Sequence, residues 1–345
     1  MENIRVLVVD DSAFMRKMIS ELLNSDQSIN VIGTARNGHD AIAKIKSLSP
    51  DVVTLDVEMP VMDGLKALQI IMKECPLPVV MVSSLTQAGA DLTIQSLQYG
   101  AVDFIAKPSG SISLDIMKLQ HEMIAKLKYA SLAKVRDSHP DLLDSTHAKA
   151  FPTRKTIVAI GVSTGGPRAL QHLFTCLPKD FPAPIVVVQH MPARFTKSLA
   201  ERLNKIATIN IKEAEQGEVL EKGTVYIAPG DNHLSIDKVG NSLIANTTQT
   251  NSKKGHRPSA DVLFRSIAQL SDYRKYALVL TGMGSDGSNG IKALKQSDQN
   301  TIVMAESEES SIIFGMPKSA IETKCVDHVV SIDKMGQALC ERMQR

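Results

Sequence analysis

Apolar residues occur along this chain in two alternating patterns. Short apolar runs bounded by turn-forming residues are typical of buried β-strands, and longer segments with an apolar residue every three or four positions are typical of helices. Their alternation predicts parallel sheets covered by helices, because parallel strands are joined by crossover connections that are usually helical. The sequence therefore predicts an α/β fold throughout.

Residues 1–123 contain five of these strand–helix units, which is the size of a small doubly wound, flavodoxin-like domain with five parallel strands. Its predicted strands are Ile4–Asp10, Asn30–Ala35, Val52–Asp56, Val79–Ser83 and Asp103–Ala106. The predicted helices between them include Phe14–Leu23, Asp40–Leu48, Leu65–Lys73 and Leu92–Tyr99.

After residue 123 the alternation is interrupted and then resumes. Residues 124–155 carry scattered charges together with Pro140 and Pro152, which is typical of an inter-domain linker. Residues 156–345 predict a second, larger domain that is doubly wound and mostly parallel. Its predicted strands are Thr156–Ile160, Ile185–Gln189, Asn210–Glu213, Thr224–Ala228, Ala277–Thr281 and Thr301–Ala305. The polar segment Asp231–Asn251 predicts a hairpin or a long loop.

Composition excludes several classes of protein. Hydrophobic residues make up 43% and charged residues 22% of the 345 residues, which is the balance of a globular chain rather than a disordered one. The formal net charge of +2 provides no strong attraction to nucleic acid, so we expect no nucleic-acid partner. The four cysteines lack Cys-x-x-Cys spacing and are typical of reduced thiols. With no signal peptide and no apolar run of about 18 residues, we expect a cytoplasmic protein without direct membrane insertion.

Polar and charged residues follow the carboxyl ends of the predicted strands in the first domain. Asp10 and Asp11 follow the first strand, Asp56 ends the third, Ser83 ends the fourth and Lys107 follows the fifth. Because these ends meet at one edge of a parallel sheet, the side chains are expected to converge. Three carboxylates repel one another unless a hard cation such as Mg²⁺ lies among them, and Asp56 would then be placed to accept a phosphoryl group. The alternative is that Asp10 and Asp11 are helix N-caps and Lys107 is a solvated turn residue.

A second candidate site begins with the segment Gly161–Pro167, which follows a predicted strand and precedes a predicted helix. It fits the Gly-x-Ser-x-Gly pattern, in which a tight turn presents a nucleophilic serine, here Ser163. The N–H groups at the start of a helix are suited to stabilising an oxyanion. A dinucleotide-binding loop is less consistent with the sequence, because the next strand ends in Gln189-His190 rather than in an acidic residue. A further alternative is that the serine only caps the helix.

Two further strand ends supply the partners that a nucleophilic serine needs. His190 follows the next predicted strand, and Asp286 lies in the glycine-rich turn Thr281–Gly287 after another. A neutral histidine can take the serine proton, and a carboxylate on its other nitrogen orients the ring and stabilises the imidazolium. The chain order Ser163, His190, Asp286 differs from the Ser…Asp…His order of α/β-hydrolases, so that fold is not expected. On spacing alone, His190 as a core histidine and Asp286 as a helix cap remain the alternative.

The first domain resembles the response-regulator receiver family. The segments that carry the resemblance are Val8–Ser12, Leu55–Gly64 and Lys107-Pro108. The resemblance implies that Asp56 is the phosphoacceptor, that Asp10 and Asp11 bind Mg²⁺ together with Asp56, and that Lys107 contacts the phosphoryl group. The hydroxyl and aromatic switch positions that it implies are Ser83 and Phe104.

The second domain resembles the catalytic domain of chemotaxis protein-glutamate methylesterases. The segments that carry the resemblance are Gly161–Pro167, Gln189–Pro192, Ile227–Gly230, His256–Ser259, Thr281–Gly287 and Phe314–Pro317. The resemblance implies Ser163 as nucleophile, His190 as general base and Asp286 as its orienting partner. We expect the backbone amides of Thr164 and Met283 to form the oxyanion hole.

Together the two resemblances imply a phosphorylation-activated serine hydrolase. Its expected reactions are the demethylation of glutamate methyl esters and the deamidation of glutamines on methyl-accepting chemotaxis receptors, giving receptor adaptation, with a sensor histidine kinase as phosphodonor. Mg²⁺ is expected for receiver phosphorylation, and no cofactor for ester hydrolysis. Two other functions are less consistent with the sequence. A transcription factor would need a compact DNA-binding output domain, which residues 156–345 do not resemble. A non-catalytic scaffold would not need an intact set of Ser163, His190 and Asp286. His256 and Arg257 are expected either to line the substrate cleft or to have a structural role.

Overall fold

The computed structural model describes residues 3–107, 112–133, 155–250 and 257–344, and it divides the chain into two compact units, Met1–Asp137 and Ser138–Arg345. The predicted linker, residues 124–155, lies largely outside the described residues. Its first part is helical, because the helix that starts at Ile112 continues past residue 123 to Ala130. The domain limits 1–123, 124–155 and 156–345 stay predictions.

The first unit consists of strands that alternate with helices. The strands are β1 (Ile4–Val9), β2 (Ile29–Ala35), β3 (Val52–Asp56), β4 (Val79–Ser83) and β5 (Asp103–Ala106). The helices are α1 (Ala13–Asn24), α2 (Gly38–Leu48), α3 (Gly64–Glu74), α4 (Gln87–Gln98) and α5 (Ile112–Ala130). All neighbouring strands are parallel, in the order β2-β1-β3-β4-β5, which confirms the flavodoxin-like prediction.

Side chains just before four of these helices determine where the helices begin. Ser12, Asn37, Asp63 and Thr86 precede α1, α2, α3 and α4, and each side-chain oxygen accepts a hydrogen bond from the backbone amide three residues later. These bonds satisfy amide donors that have no partner inside the helix. The cap at Thr86 explains why α4 starts before the predicted Leu92, since its first turn has little apolar periodicity for a prediction to detect.

The second unit has the same alternating construction. Its strands are β6 (Thr156–Val162), β7 (Ile185–Gln189), β8 (Asn210–Glu213), β9 (Thr224–Ile227), β10 (His233–Val239), β11 (Ser242–Thr248), β12 (Arg274–Val279), β13 (Ile302–Glu306) and β14 (His328–Val330). Its helices are α6 (Gly166–Thr175), α7 (Phe195–Ile206), α8 (Ala260–Ala268), α9 (Ser288–Ser297), α10 (Met316–Glu322) and α11 (Ile332–Met343). Across the described ranges, we find no helix with the length and apolar content needed to cross a membrane.

Seven of these strands form one sheet in the order β14-β13-β12-β6-β7-β9-β8, and every neighbouring pair is parallel. Strands β10 and β11 pair antiparallel and form the hairpin predicted within Asp231–Asn251. The predicted doubly wound, mostly parallel architecture is therefore confirmed. The sequence did not predict β14, which is three residues long and only half-buried, and so has no continuous apolar run.

Helix α8 packs unusually close to the centre of this sheet. A Cβ on Gly161, in β6, would lie 2.7 Å from the Cβ of Ala260, so a larger residue at this position would push the helix away. Leu263 and Phe264 of α8 are fully buried against the sheet core. This packing brings the amino-terminal end of α8 to the carboxyl ends of the central strands.

Candidate functional sites

Three candidate residues of the second unit follow neighbouring strands of its sheet. Ser163 follows β6, His190 follows β7, and Asp286 lies in the loop after β12, with β6 between the other two strands. In the β6–β7 ladder Val162 is paired with Gln189, so the next residues, Ser163 and His190, come side by side. The sheet order thus brings the three residues to one edge.

The segment from Ser163 to Gly166 is a tight turn between β6 and α6. The Ser163 amide donates a hydrogen bond to the Thr281 carbonyl (3.0 Å), and the Gly166 amide donates to the Ser163 carbonyl (2.8 Å). The N-cap of α6 is Gly165, which has a φ of 78° and makes no side-chain cap bond. Ser163 is therefore not the cap of this helix, and its side chain is half-buried rather than enclosed.

The imidazole of His190 contacts the carboxylate of Asp286, with Nε2 2.8 Å from Oδ2. The same carboxylate accepts hydrogen bonds from the Ser259 hydroxyl (2.9 Å) and from the backbone amides of Ala260 (2.7 Å) and Asp261 (3.1 Å). Ala260 and Asp261 are the first residues of α8. Asp286 is thus both a histidine partner and a helix cap, and the helix that it caps is α8 rather than α9, which follows it in the chain.

These contacts keep Asp286 ionised. Burial alone would raise the pKa of Asp286, but the contact with His190 and the two amide bonds outweigh this effect and hold the pKa below its ordinary value. A carboxylate on Nε2 favours the tautomer that carries its proton on that nitrogen, which leaves the lone pair on Nδ1. Nδ1 is therefore the His190 atom suited to accept the serine proton.

Two glycines allow the loops around Ser163 to pack this closely. A Cβ on Gly282 would lie 2.6 Å from the Cβ of Ser163, and a Cβ on Gly166 would overlap the side-chain oxygen of Gln189. The Gln189 side chain is buried, and its Nε2 donates a hydrogen bond to the Ser163 carbonyl (2.9 Å). The role of Gln189 as a support for the turn was not predicted, although it stands in a segment that carries the family resemblance.

The amides expected to form the oxyanion hole belong to Thr164 and Met283, which lie in the two loops that pack together at Ser163. Thr164 follows Ser163 in the turn, and Met283 follows Gly282, which packs against Ser163. Thr164 is buried, and its carbonyl accepts a hydrogen bond from the Thr281 hydroxyl (3.0 Å). Within the described ranges the Met283 amide has no hydrogen-bond acceptor. The oxyanion hole stays a prediction that this placement supports.

Sequence reasoning did not identify Glu306, the last residue of β13. Its side chain is 1% exposed, and its two oxygens accept hydrogen bonds from the Thr281 amide (2.8 Å) and the Ser310 hydroxyl (3.0 Å). Burial raises the pKa of Glu306 to about 7, although both hydrogen bonds act in the opposite direction. A signal was available, because an acidic residue directly follows the apolar run of a predicted strand.

Two segments that carry the resemblance support the loops of the site. The amides of Gly315 and Met316 both donate to the Gly282 carbonyl, at 3.2 and 2.8 Å. Gly230 packs so tightly on Pro192 that a Cβ there would overlap the backbone of the loop after His190. Both segments therefore hold loops that carry functional residues.

The two residues with open roles are placed differently. His256 lies outside the described residues. Arg257 is exposed, and its guanidinium donates a hydrogen bond to the carbonyl of Gln249, 2.8 Å away. The described contact of Arg257 is therefore a structural one between two loops.

In the first unit, Asp10, Asp11 and Asp56 each bring a carboxylate oxygen within 4.8 Å of the others. The Lys107 ammonium lies 3.0 Å from an oxygen of Asp10 and 2.9 Å from an oxygen of Asp56. Ser12 caps α1, so neither Asp10 nor Asp11 is its N-cap, and Lys107 is paired rather than solvated. The alternative interpretation of these residues is therefore wrong.

The charges of this acidic cluster are not balanced by its lysine alone. Burial raises the pKa of Asp56 to about 6; the Lys107 ammonium opposes this, while the Asp10 charge adds to it. Burial alone would lower the pKa of Lys107, but Asp56 and Asp10 outweigh it and raise the pKa. Carboxylate oxygens clustered in this way fit a hard divalent cation such as Mg²⁺, which Asp10, Asp11 and Asp56 would hold.

The two implied switch positions are both buried. The Ser83 hydroxyl donates a hydrogen bond to the carbonyl of Gly89 (3.1 Å), in α4. The Phe104 ring lies 5.0 Å from the ammonium of Lys126, a cation–π distance. The switch roles of Ser83 and Phe104 stay predictions.

Comparison with protein families finds two matches that together cover most of the chain. Residues 158–339 match the CheB methylesterase family, and residues 6–117 match the response regulator receiver domain. The chain is 54% identical over 347 residues to the protein-glutamate methylesterase/protein-glutamine glutaminase of Geobacillus kaustophilus, with 99% of each chain covered. It is 50% identical over 344 residues to the protein of the same name from Halalkalibacterium halodurans, again with 99% of each covered.

A solved structure also resembles the second unit. The crystal structure of the Thermotoga maritima CheB methylesterase catalytic domain matches with a TM-score of 0.52 and 43% sequence identity. The match covers 55% of this chain and 98% of that domain. The fold of the second unit is therefore shared with an independently solved domain.

Proposed function

This chain belongs to the CheB methylesterase family and carries a response regulator receiver domain, and on that premise we propose that it is a phosphorylation-activated serine hydrolase. Its proposed substrates are glutamate methyl esters, and also glutamine amides, on methyl-accepting chemotaxis receptors. The observation that carries the proposal is the 2.8 Å contact between His190 and Asp286 beside the turn that holds Ser163. The names of the two relatives support the choice of substrate class.

In the proposed reaction, the Ser163 hydroxyl attacks the ester carbonyl while its proton passes to Nδ1 of His190. Asp286 keeps Nε2 protonated and stabilises the imidazolium that forms. His190 then returns the proton to the leaving oxygen, so that methanol departs and the glutamyl group stays on Ser163 as an acyl-enzyme. Water deprotonated by His190 then attacks this acyl-enzyme, and His190 returns the proton to the Ser163 oxygen as the glutamate side chain is released, which regenerates both residues.

The negative oxygen formed in each step is proposed to bind the backbone amides of Thr164 and Met283. Thr164 follows Ser163 in the chain, and Met283 follows Gly282, which packs against Ser163; this placement supports the assignment. Removal of one such donor typically slows a hydrolase by about 100- to 1,000-fold. A glutamine side chain would pass through the same steps with ammonia as the leaving group, so one site would serve both reactions.

In the receiver, Asp56 is the proposed acceptor of the phosphoryl group, with a sensor histidine kinase as the donor. Mg²⁺ bound by Asp10, Asp11 and Asp56 would offset the charge of the incoming group. Lys107 supplies a further positive charge, because its ammonium already lies within 3.0 Å of Asp10 and Asp56. The clustering of these four side chains supports the proposal.

Activation by phosphorylation is proposed to act through two conformations of the receiver, with Ser83 and Phe104 as switch positions. A phosphoryl group on Asp56 would offer the Ser83 hydroxyl a charged acceptor in place of the Gly89 carbonyl. Demethylation that rises with kinase activity would return receptors to their resting state, which is receptor adaptation. The cytoplasmic location expected from the sequence stays a prediction that cell fractionation tests.

Methanol release from methylated receptor membranes tests this function. We expect the full chain to release methanol, and acetyl phosphate with Mg²⁺ to raise the rate. The Ser163→Ala variant should release none above background. Absence of release from the wild-type protein would contradict the esterase proposal, whereas release that acetyl phosphate leaves unchanged would contradict only the proposed activation.

A further inference from the structure

One buried threonine, Thr281, connects the nucleophile turn to the neighbouring strands. Its carbonyl accepts a hydrogen bond from the Ser163 amide (3.0 Å), and its hydroxyl donates to the Thr164 carbonyl (3.0 Å). The same hydroxyl accepts a hydrogen bond from the Ile313 amide (3.0 Å). Because these groups are shielded from water, a shift of the Thr281 backbone would be transmitted to Ser163 and Thr164.

The remaining polar group of Thr281 is its amide, which donates to Oε2 of Glu306 at 2.8 Å. Glu306 ends β13, and β13 pairs with β12 on the side opposite to β6. The other oxygen of Glu306 accepts a hydrogen bond from the Ser310 hydroxyl (3.0 Å), which itself accepts from the Ile332 amide (2.9 Å). The carboxyl group is thus anchored on one side and holds Thr281 on the other.

A carboxyl group at this position has two opposite effects on stability. Transfer of a polar side chain from water into a protein core is unfavourable, but an apolar side chain of similar size would leave the buried Thr281 amide without a hydrogen-bond acceptor. The Thr281 amide lies beyond the end of the β12 ladder, so it is not bonded to a backbone carbonyl of a neighbouring strand. Glu306 supplies that acceptor.

The geometry points to Glu306 as a positioning residue for ester hydrolysis, a buried acceptor that holds Thr281 and, through it, Ser163 and Thr164 in the reactive arrangement. This inference rests on the proposed function, since it concerns how fast Ser163 reacts. Glu306 acts through Thr281 and does not touch the substrate. A purely structural residue would change stability alone, whereas a positioning residue also changes the reactivity of Ser163 in protein that is still folded.

The rate at which a fluorophosphonate labels Ser163 in the full-length protein measures this reactivity without a receptor. Glu306→Gln keeps an oxygen acceptor for Thr281, and its NH₂ can donate to Ser310. Glu306→Ala and Glu306→Met remove the acceptor, and methionine fills the space. We expect labelling per folded molecule to be up to roughly 100-fold slower in the alanine and methionine variants, and within about threefold of wild type in the glutamine variant. Glu308→Ala, at an exposed glutamate of the same segment, should label at the wild-type rate.

A second readout separates positioning from binding. With methylated receptor membranes as substrate, kcat should fall in the methionine variant while KM stays near the wild-type value. If the alanine variant does not fold, the methionine variant carries the comparison with glutamine. Wild-type labelling in Glu306→Met, or equal slowing in the glutamine and methionine variants, would overturn the inference.

The Ser163→Ala variant separates this inference from the function on which it rests. It should not be labelled at all. Labelling of Ser163→Ala at the wild-type rate would overturn the proposed function itself. An unlabelled Ser163→Ala together with wild-type rates in the Glu306 variants would overturn only the positioning role.

Discussion

His190 and Asp286 are joined by a 2.8 Å contact between Nε2 and Oδ2, although 96 residues separate them in the chain. The carboxylate that orients the imidazole also accepts hydrogen bonds from the first two backbone amides of α8. The orientation of His190 is therefore coupled to the position of a packed helix, which restricts its movement. Changes at Asp286 should affect both catalysis and stability, whereas changes at Ser163 should affect catalysis alone.

Ser163→Ala is expected to lower kcat for ester hydrolysis by several orders of magnitude, because no other group replaces the nucleophile. The unfolding temperature should stay close to that of the wild type, since the bonds to Thr281 and Gln189 involve only the Ser163 backbone. Ser271→Ala, at an exposed serine, is the matched control. Methanol release and thermal denaturation provide the measurements, and retention of more than about a tenth of wild-type turnover would be inconsistent with a nucleophilic Ser163.

Asp286→Asn is expected to lower kcat by about 10,000-fold, because an amide favours the wrong imidazole tautomer. It should also reduce the free energy of unfolding by about 1 kcal/mol or more, because an NH₂ group cannot accept the hydrogen bond that the Ala260 amide donates. Methanol release measures the first effect and denaturant unfolding the second. An unchanged kcat would count against the orienting role, and unchanged stability against the capping role.

Gly282→Ala tests the close packing beneath the nucleophile. The new Cβ would lie 2.6 Å from the Cβ of Ser163 and 3.0 Å from its backbone nitrogen, so one of the two loops must move. We expect kcat to fall by roughly 10- to 100-fold. Gly240→Ala, at the open hairpin turn, adds a Cβ that meets no atom within 4 Å and should leave kcat unchanged. Equal activity of the two variants would show that the contact has no role in catalysis.

Asp56→Asn is expected to abolish phosphoryl uptake from acetyl phosphate in the presence of Mg²⁺. Basal methanol release should remain, but acetyl phosphate should no longer stimulate it. Asp91→Asn, at an exposed aspartate of α4, should behave like the wild type. The direct measurement is labelling of the protein by a phosphodonor. A second experiment removes Mg²⁺ with a chelator, which should also prevent labelling of the wild-type protein. Undiminished labelling of Asp56→Asn would place the acceptor elsewhere.

Glu306 should make stability depend on pH. Burial raises its pKa from an ordinary 4.5 to about 7, so the folded protein retains a proton that the unfolded chain releases. The resulting stabilisation is complete below about pH 4.5, declines as the pH rises and is lost above about pH 7. Because glutamine does not ionise, Glu306→Gln should gain up to roughly 3 kcal/mol of stability relative to wild type between pH 5 and pH 8. Denaturant unfolding of both proteins at both pH values measures this gain. A stability difference between them that does not vary with pH would contradict the raised pKa of Glu306.

The pattern of apolar residues along the chain was sufficient to predict the architecture of both units. Strands β7 and β8 have their predicted limits, and the hairpin lies within Asp231–Asn251. The gathering of Ser163, His190 and Asp286 at one edge was also deducible, since functional side chains of parallel sheets follow the carboxyl ends of the strands. These features depend on local periodicity and on a general rule of topology, both of which a sequence contains directly.

The hydrogen bonds that connect these residues could not be read from the sequence and follow from the tertiary structure. That Nε2 of His190 contacts Asp286, that Asp286 caps α8, and that Glu306 holds Thr281 all depend on which strands are neighbours. Apolar periodicity shows which face of an element is buried, but strand order is set by the packing of the whole domain. Hydrogen bonds between segments that are distant in the chain also depend on differences of a few tenths of an ångström, which no residue pattern encodes.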